Sequence, residues 1–114
     1  MYYLNQQQEP TFLLYGTIGM NIDGHQFAQE LRSVDAETIN IKINSGGGSV
    51  IHGWSIFSAL IDHGATIKVS IDGLAGSMAG VIAQAGDEVV AKDYSKYMIH
   101  SASLGGRPPE TDEE

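Results

Sequence analysis

The sequence contains no cysteine, which excludes disulfide cross-links and thiolate chemistry and fits a reducing compartment. Basic residues are scarce: six Lys and Arg stand against fourteen Asp and Glu, for a formal net charge of −8. Tracking a phosphate backbone needs cations that displace counterions, and docking on anionic lipid needs a basic surface. Nucleic acid and membrane are therefore both disfavoured as partners. No apolar run approaches the ~20 residues of a membrane span. The first residues, Met1-Tyr2-Tyr3-Leu4-Asn5-Gln6-Gln7-Gln8, lack the basic start and apolar run of a secretory signal. What remains is ample for one folded domain. The chain has 114 residues, of which 42% are apolar and 18% charged, too few for two ordinary domains and too apolar for a disordered chain.

Periodicity divides the chain. Residues 1–11 read as a polar N-terminal arm, and Phe12-Leu13-Leu14-Tyr15 as a buried strand stopped by Gly16. Asp23 with Gln26 three residues on resembles a capping box. Phe27, Leu31 and Val34 follow at helical spacing, predicting an amphipathic helix over 24–34. Ile39, Ile41 and Ile43 alternate with Asn40, Lys42 and Asn44, the pattern of a half-buried strand. Ser45-Gly46-Gly47-Gly48-Ser49 is expected to interrupt it. A second helix then buries Val50, Trp54, Phe57 and Ile61 on one face, with Ser49 as its cap and Gly64 as its stop. Ile67, Val69 and Ile71 form another alternating strand, Gly73-Leu74-Ala75-Gly76 a turn, and 77–85 a short buried helix. Val89-Val90-Ala91 and Tyr97-Met98-Ile99 complete the pattern as strands, and 107–114 is expected to be a mobile acidic tail. Strands and helices alternate, which argues an α/β fold with largely parallel strands.

Two glycine-bearing turns, each after an alternating strand and before a helix, are the places where open α/β sheets bind ligands. The first lacks the lysine of a phosphate loop and does not match G-x-G-x-x-G. The second puts Ser77 at a helix start, beside free backbone N–H groups. That position suits an N-cap serine, and it equally suits a nucleophile beside oxyanion donors. G-x-S-x-G is absent, since Ala75 replaces its first glycine, which weighs against an α/β-hydrolase. Of the four histidines, His25, His52 and His63 lie on helices and read as surface residues. His100 ends an apolar strand and is presented into a loop, where a general base could stand. The histidines have no zinc-binding spacing.

Three blocks in order carry a more specific message. They are Ile43-Asn44-Ser45-Gly46-Gly47-Gly48-Ser49-Val50, then Gly73-Leu74-Ala75-Gly76-Ser77-Met78-Ala79-Gly80, then Tyr97-Met98-Ile99-His100. They resemble the I-N-S-P-G-G, A-S-M-G and M-I-H segments of the Clp protease proteolytic subunit, over roughly 12–106. Gly46, where housekeeping members usually carry proline, and Ser77-Met78-Ala79-Gly80-Val81-Ile82-Ala83 are closer to the relatives of phages and prophages that mature capsids.

The resemblance implies an α/β, ClpP/crotonase-like spiral of repeated β-β-α units, C-terminally incomplete, with the protease core at 12–106. It implies a serine endopeptidase with Ser77 as nucleophile, His100 as general base and the N–H groups of Gly48 and Met78 as the oxyanion hole. Ser101, Leu104, Gly105 and Gly106 would pair with an extended peptide or unfolded protein. No metal or organic cofactor is implied. A homo-oligomeric ring, an ATP-driven unfoldase partner and a cytoplasmic location, bacterial or in a phage-infected host, are. The family's third triad residue, an aspartate well downstream of the histidine, has no match; Asp112 lies close to His100 in a proline-rich stretch. The chain as given is therefore expected to be a poor peptidase, because the third member holds the histidine tautomer. A catalytically impaired structural ring subunit, a crotonase-type acyl-CoA enzyme and a pure binding module are the competing readings.

Overall fold

The computed structural model describes residues 3–4 and 9–98. Its elements are β1 (Tyr3–Leu4), β2 (Thr11–Ile18), α1 (Gly24–Ser33), β3 (Thr38–Gly48), α2 (Val50–Asp62), β4 (Thr66–Gly76), α3 (Met78–Ala83), β5 (Glu88–Ala91) and β6 (Lys96–Met98). From β2 onward strand and helix alternate as the periodicity predicts. A crossover helix between successive strands brings them side by side and parallel. The sheet order is β1-β2-β3-β4-β5, with β6 also on β4. The pairs β2/β3, β3/β4, β4/β5 and β4/β6 are parallel, and β1 joins β2 antiparallel. The edge of β4 away from β3 is shared: β5 pairs with Lys68–Ile71 and β6 with Leu74–Gly76.

The alternation places Phe12, Leu14, Ile39, Ile41, Ile43, Ile67, Val69 and Ile71 on one face of the sheet, all buried. The three helices supply the other half of the core through Phe27, Leu31, Ile56, Leu60, Met78 and Ile82. Each such side chain withdrawn from water contributes roughly 1.5–3 kcal/mol. The opposite face carries Tyr15, Lys42 and Asn44, which are exposed. Asp23 caps α1 as expected, its carboxylate accepting from the N–H groups of His25 and Gln26. The Gln26 amide reaches along the helix to Glu30 at 3.2 Å.

Four expectations are corrected. Gly16 does not stop β2: at the register shift between Tyr15 and Thr17, Gly16, at φ 112°, faces two residues of β3, and β2 continues to Ile18. Ser45–Gly48 does not interrupt β3, because Gly47 and Gly48 pair with Thr17 and Ile18. Gly73–Gly76 is not a free turn but the last part of β4. That strand carries three residues, 72–74, opposite the single Asn44 of β3, and then resumes pairing at Ala75 and Ser45. Finally, α2 buries Gly53, Ile56, Ala59 and Leu60, not the stripe of large side chains. Val50 is 44% exposed, Trp54 47% and Ile61 55%. Small residues on the inner face let α2 approach closely: a Cβ built on Gly53 would lie 2.2 Å from the Met78 Cγ.

Candidate functional site

The site forms where the ends of β3 and β4 meet the start of α3. Asn44 stands alone opposite residues 72–74 of β4, and its Oδ1 accepts from the Leu74 N–H at 3.1 Å. The side chain thereby supplies the acceptor that a continuous β3 backbone would have given. The bulge ends in Ala75 and Gly76, both buried, and delivers the chain to Ser77.

Ser77 has φ 50° and ψ −123°, and it is the only non-glycine with positive φ among the described residues. A residue with a Cβ held there costs of order 1–3 kcal/mol, which the surrounding packing must offset. The Ser77 carbonyl accepts from the N–H groups of Gly80 and Val81, so it opens α3 as an N-cap does. Its side chain, however, makes no capping hydrogen bond. A serine selected as a cap would use its oxygen on the N–H of Ala79 or Gly80. Here the half-buried hydroxyl is left for other work.

Gly47 closes the other side. It is buried, with φ 105°; a Cβ built on it would lie 2.7 Å from the Ser77 Cβ, 2.9 Å from the Gly76 carbonyl oxygen and 3.0 Å from the Met78 nitrogen. The bare backbone of β3 therefore packs directly on the serine and on the first N–H of α3. The Gly47 N–H is already engaged, donating to the Ser45 Oγ at 3.0 Å. Gly48 is exposed and has φ 140°; its Cα faces β2, where a Cβ would meet the Ile18 carbonyl oxygen at 2.2 Å. Met78 is buried, its side chain seated on Gly53. Of the proposed oxyanion donors, Met78 thus begins α3 next to Ser77, and Gly48 follows directly on the glycine that touches it.

His100, Ser101, Leu104, Gly105 and Gly106 lie outside the described residues, as does the tail at 107–114. The described part of β6 ends at Met98, which pairs with Gly76, the residue before Ser77. The other three histidines are not simply surface residues. His52 Nδ1 accepts from the Gly24 N–H at 2.9 Å, its ring lies 4.6 Å from that of His25, and His25 Nδ1 meets the Ser55 hydroxyl at 3.0 Å. His63 accepts from the Ala65 N–H on Nδ1, so its Nε2 carries the proton and donates to the Val34 carbonyl at 2.8 Å. These rings tie α1 to α2. Among the described residues no three His, Asp or Glu side chains converge as a metal site requires.

A separate polar cluster sits on the open face of the sheet. The Tyr15 hydroxyl donates to Asp72 at 2.6 Å, Ser70 donates to the same carboxylate at 3.0 Å, and Lys92 lies 3.2 Å from it. The hydrogen bond to Asp72, aided by burial, pushes the Tyr15 hydroxyl up to about 12. Burial pushes the Asp72 carboxyl up, but the Tyr15, Lys92 and Ser70 hydrogen bonds outweigh it and hold the group below the usual carboxylate range.

Sequence reasoning missed Gly47 and Ser45 as parts of the site. The signal available was the serine before three glycines, which placed the turn but not the glycine that touches Ser77.

A family model described as Clp protease matches residues 8–113. Two solved structures are similar: ClpP1 from Listeria monocytogenes and a point mutant of the same protein. Each is 30% identical with a TM-score of 0.60, over 67% of this chain and 46% of that one. The chain thus spans just under half the length of those structures. Among curated proteins, none matches.

Proposed function

Because the chain belongs to the Clp protease family, we propose that it is a serine-type peptidase subunit that cleaves peptide bonds through an acyl-enzyme on Ser77. The observation that carries the reading is the serine itself. It has a backbone conformation that a cap does not require, a hydroxyl that no cap bond uses, and glycine backbone packed against it.

In this reading the Ser77 hydroxyl attacks the scissile carbonyl while His100 takes its proton. The carbonyl oxygen becomes an oxyanion held by the N–H groups of Met78 and Gly48. Two features support Gly48. The Gly47 N–H is spent on Ser45. The Ser49 N–H is likewise engaged, donating to the Ile18 carbonyl at 2.8 Å. The N–H groups on both sides of Gly48 are thus committed elsewhere, which leaves that of Gly48 as the candidate donor on this stretch of backbone. His100 then protonates the leaving amine, and a water that it deprotonates releases the acyl group. Support for His100 is the parallel pairing of Met98 with Gly76: the strand that leads in sequence to His100 runs beside the residue that precedes Ser77. The segment Ser101, Leu104, Gly105 and Gly106 then offers backbone to an extended substrate, giving broad specificity.

The step itself needs no ATP; an unfoldase that delivers folded substrates would supply that. Self-association into a homo-oligomeric ring is supported by four large hydrophobics, Val50, Ile51, Trp54 and Ile61, exposed on the single helix α2, since grouped exposed apolar side chains mark interaction surfaces. Gly46 and the wording after Ser77 support a phage or prophage origin, with capsid proteins as substrates in the cytoplasm of the host.

The test is pre-steady-state hydrolysis of an activated ester by the wild-type chain, Ser77→Ala and His100→Ala. A burst of one product per subunit is expected for the wild type alone. Loss of a triad member in serine proteases costs on the order of 10⁴-fold or more in turnover. A burst that survives Ser77→Ala contradicts the reading, and a folded wild-type chain with no burst favours the structural ring subunit.

A further inference from the structure

We infer that Ser45 is a positioning residue for this reaction: its hydroxyl holds the Gly46–Gly47 peptide so that the glycine backbone forms one wall of the oxyanion site. The inference rests on the reading of Ser77 as nucleophile. Ser45 is 3% exposed, and with Thr11 it is one of two buried polar residues among those described. A buried hydroxyl persists where it satisfies a buried partner, and here the partner is the Gly47 N–H at 3.0 Å.

The same peptide unit is held from its other side. The Gly46 carbonyl oxygen, carbonyl carbon and Cα lie 3.4, 3.6 and 3.6 Å from where a Gly76 Cβ would stand, so Gly46 packs against Gly76. In a trans peptide the N–H and C=O point opposite ways, so Ser45 fixes the N–H end of a plane whose other side lies against Gly76. Gly47 at φ 105° follows from that plane. This conformation sets its Cα against Ser77 and the Met78 nitrogen and passes the chain to Gly48. Without the Ser45 oxygen, the Gly47 N–H is a buried donor with its acceptor removed. Rotating the peptide to find another acceptor swings the carbonyl away from Gly76 and draws Gly47 and Gly48 off the serine. The hydroxyl's hydrogen bond is to the Gly47 N–H, so it acts through the backbone of β3.

The experiment compares wild type, Ser45→Ala, Ser45→Thr, Ser45→Val and Ser77→Ala, each held below its own unfolding temperature. Two readouts are used: the rate of labelling by a fluorophosphonate, and kcat and KM for an activated ester. Misplacing a reacting wall by about 1 Å costs up to ~10²-fold. Ser45→Ala and Ser45→Val are therefore expected to label about 10- to 100-fold more slowly, with kcat falling and KM unchanged. Ser45→Thr, which keeps the acceptor at the volume of valine, is expected to stay within a few-fold of wild type. A purely structural role would lower the unfolding temperature without splitting kcat from KM, and would treat Thr and Val alike. Equal labelling of wild type, Ala and Val overturns the inference while leaving Ser77 as nucleophile. Labelling that survives Ser77→Ala, or a wild type that does not label, overturns both.

Discussion

Gly47→Ala perturbs the site through two separable costs. The first is local: an alanine at φ 105° sits in a region costing L-residues roughly 1–3 kcal/mol. The second is steric. The new Cβ would stand 2.7 Å from the Ser77 Cβ and 2.9 Å from the Gly76 carbonyl oxygen, and contacts under 3.0 Å essentially never occur for a real Cβ. Two of the three nearest groups are backbone, so the strain is relieved by moving β3 and β4 apart; overpacking of this kind costs about 1–3 kcal/mol. Together, roughly 2–6 kcal/mol lowers the melting temperature of a domain this size by about 10–30 °C. Because the relief separates Gly47 from Ser77 and Met78, fluorophosphonate labelling at low temperature, where the variant is still folded, is expected to fall about 10²-fold. Gly64→Ala is the control: nothing lies within 4 Å of its built Cβ, and stability within about 1 kcal/mol of wild type is expected. A Gly47→Ala chain that melts and labels like wild type refutes the packing of β3 on the serine.

Other consequences are open to direct measurement. Ile56→Ala is expected to cost about 2–5 kcal/mol in urea denaturation, whereas Trp54→Ser costs under about 1 kcal/mol in the monomer yet shifts the association equilibrium toward smaller species in light scattering. Equal destabilisation by the two would restore the Trp54 face as the core face. His63→Ala removes an acceptor from the Ala65 N–H and a donor from the Val34 carbonyl, and is expected to cost about 1–3 kcal/mol. In an ultraviolet titration of the phenols, one tyrosine ionises at about 12, and Asp72→Asn returns it toward the ordinary value of 10. The sign follows from the direction of each shift. The raised Tyr15 value contributes stability that is fully present below pH 10 and lost as pH rises toward 12. The depressed Asp72 value contributes stability present above the ordinary carboxylate range and lost as pH falls through its folded value.

The alternating isoleucines of β3 and β4 and the Asp23 cap were legible because each is a local pattern that burial or a single side chain enforces. The face of α2 was not. Val50, Trp54, Phe57 and Ile61 recur at helical spacing, but so do Gly53, Ile56 and Leu60, and the smaller set wins because it admits the Met78 side chain and α1. Continuity of β2, β3 and β4 through Gly16, Gly47 and Gly73 was hidden for a related reason. Glycine reads as a break along one chain, whereas the bulges it makes here are defined by the neighbouring strand. Ser77 could be located by its place between strand and helix. Its positive φ could not, because serine itself gives no sign of a conformation that Gly47, Gly76 and Met78 impose from outside. The helical histidines looked like surface residues because their partners, Gly24, Ser55 and Val34, are nearly thirty or more positions away in sequence or on another element.

The central claim is that Ser77 is a nucleophile and not a cap. Its most direct test is peptide mapping by mass spectrometry after fluorophosphonate treatment of the wild-type chain. The expected result is a single adduct, on the peptide containing Ser77, absent in Ser77→Ala and absent when the wild-type chain is first unfolded. An adduct on another serine, or a folded chain that takes up no label, contradicts it.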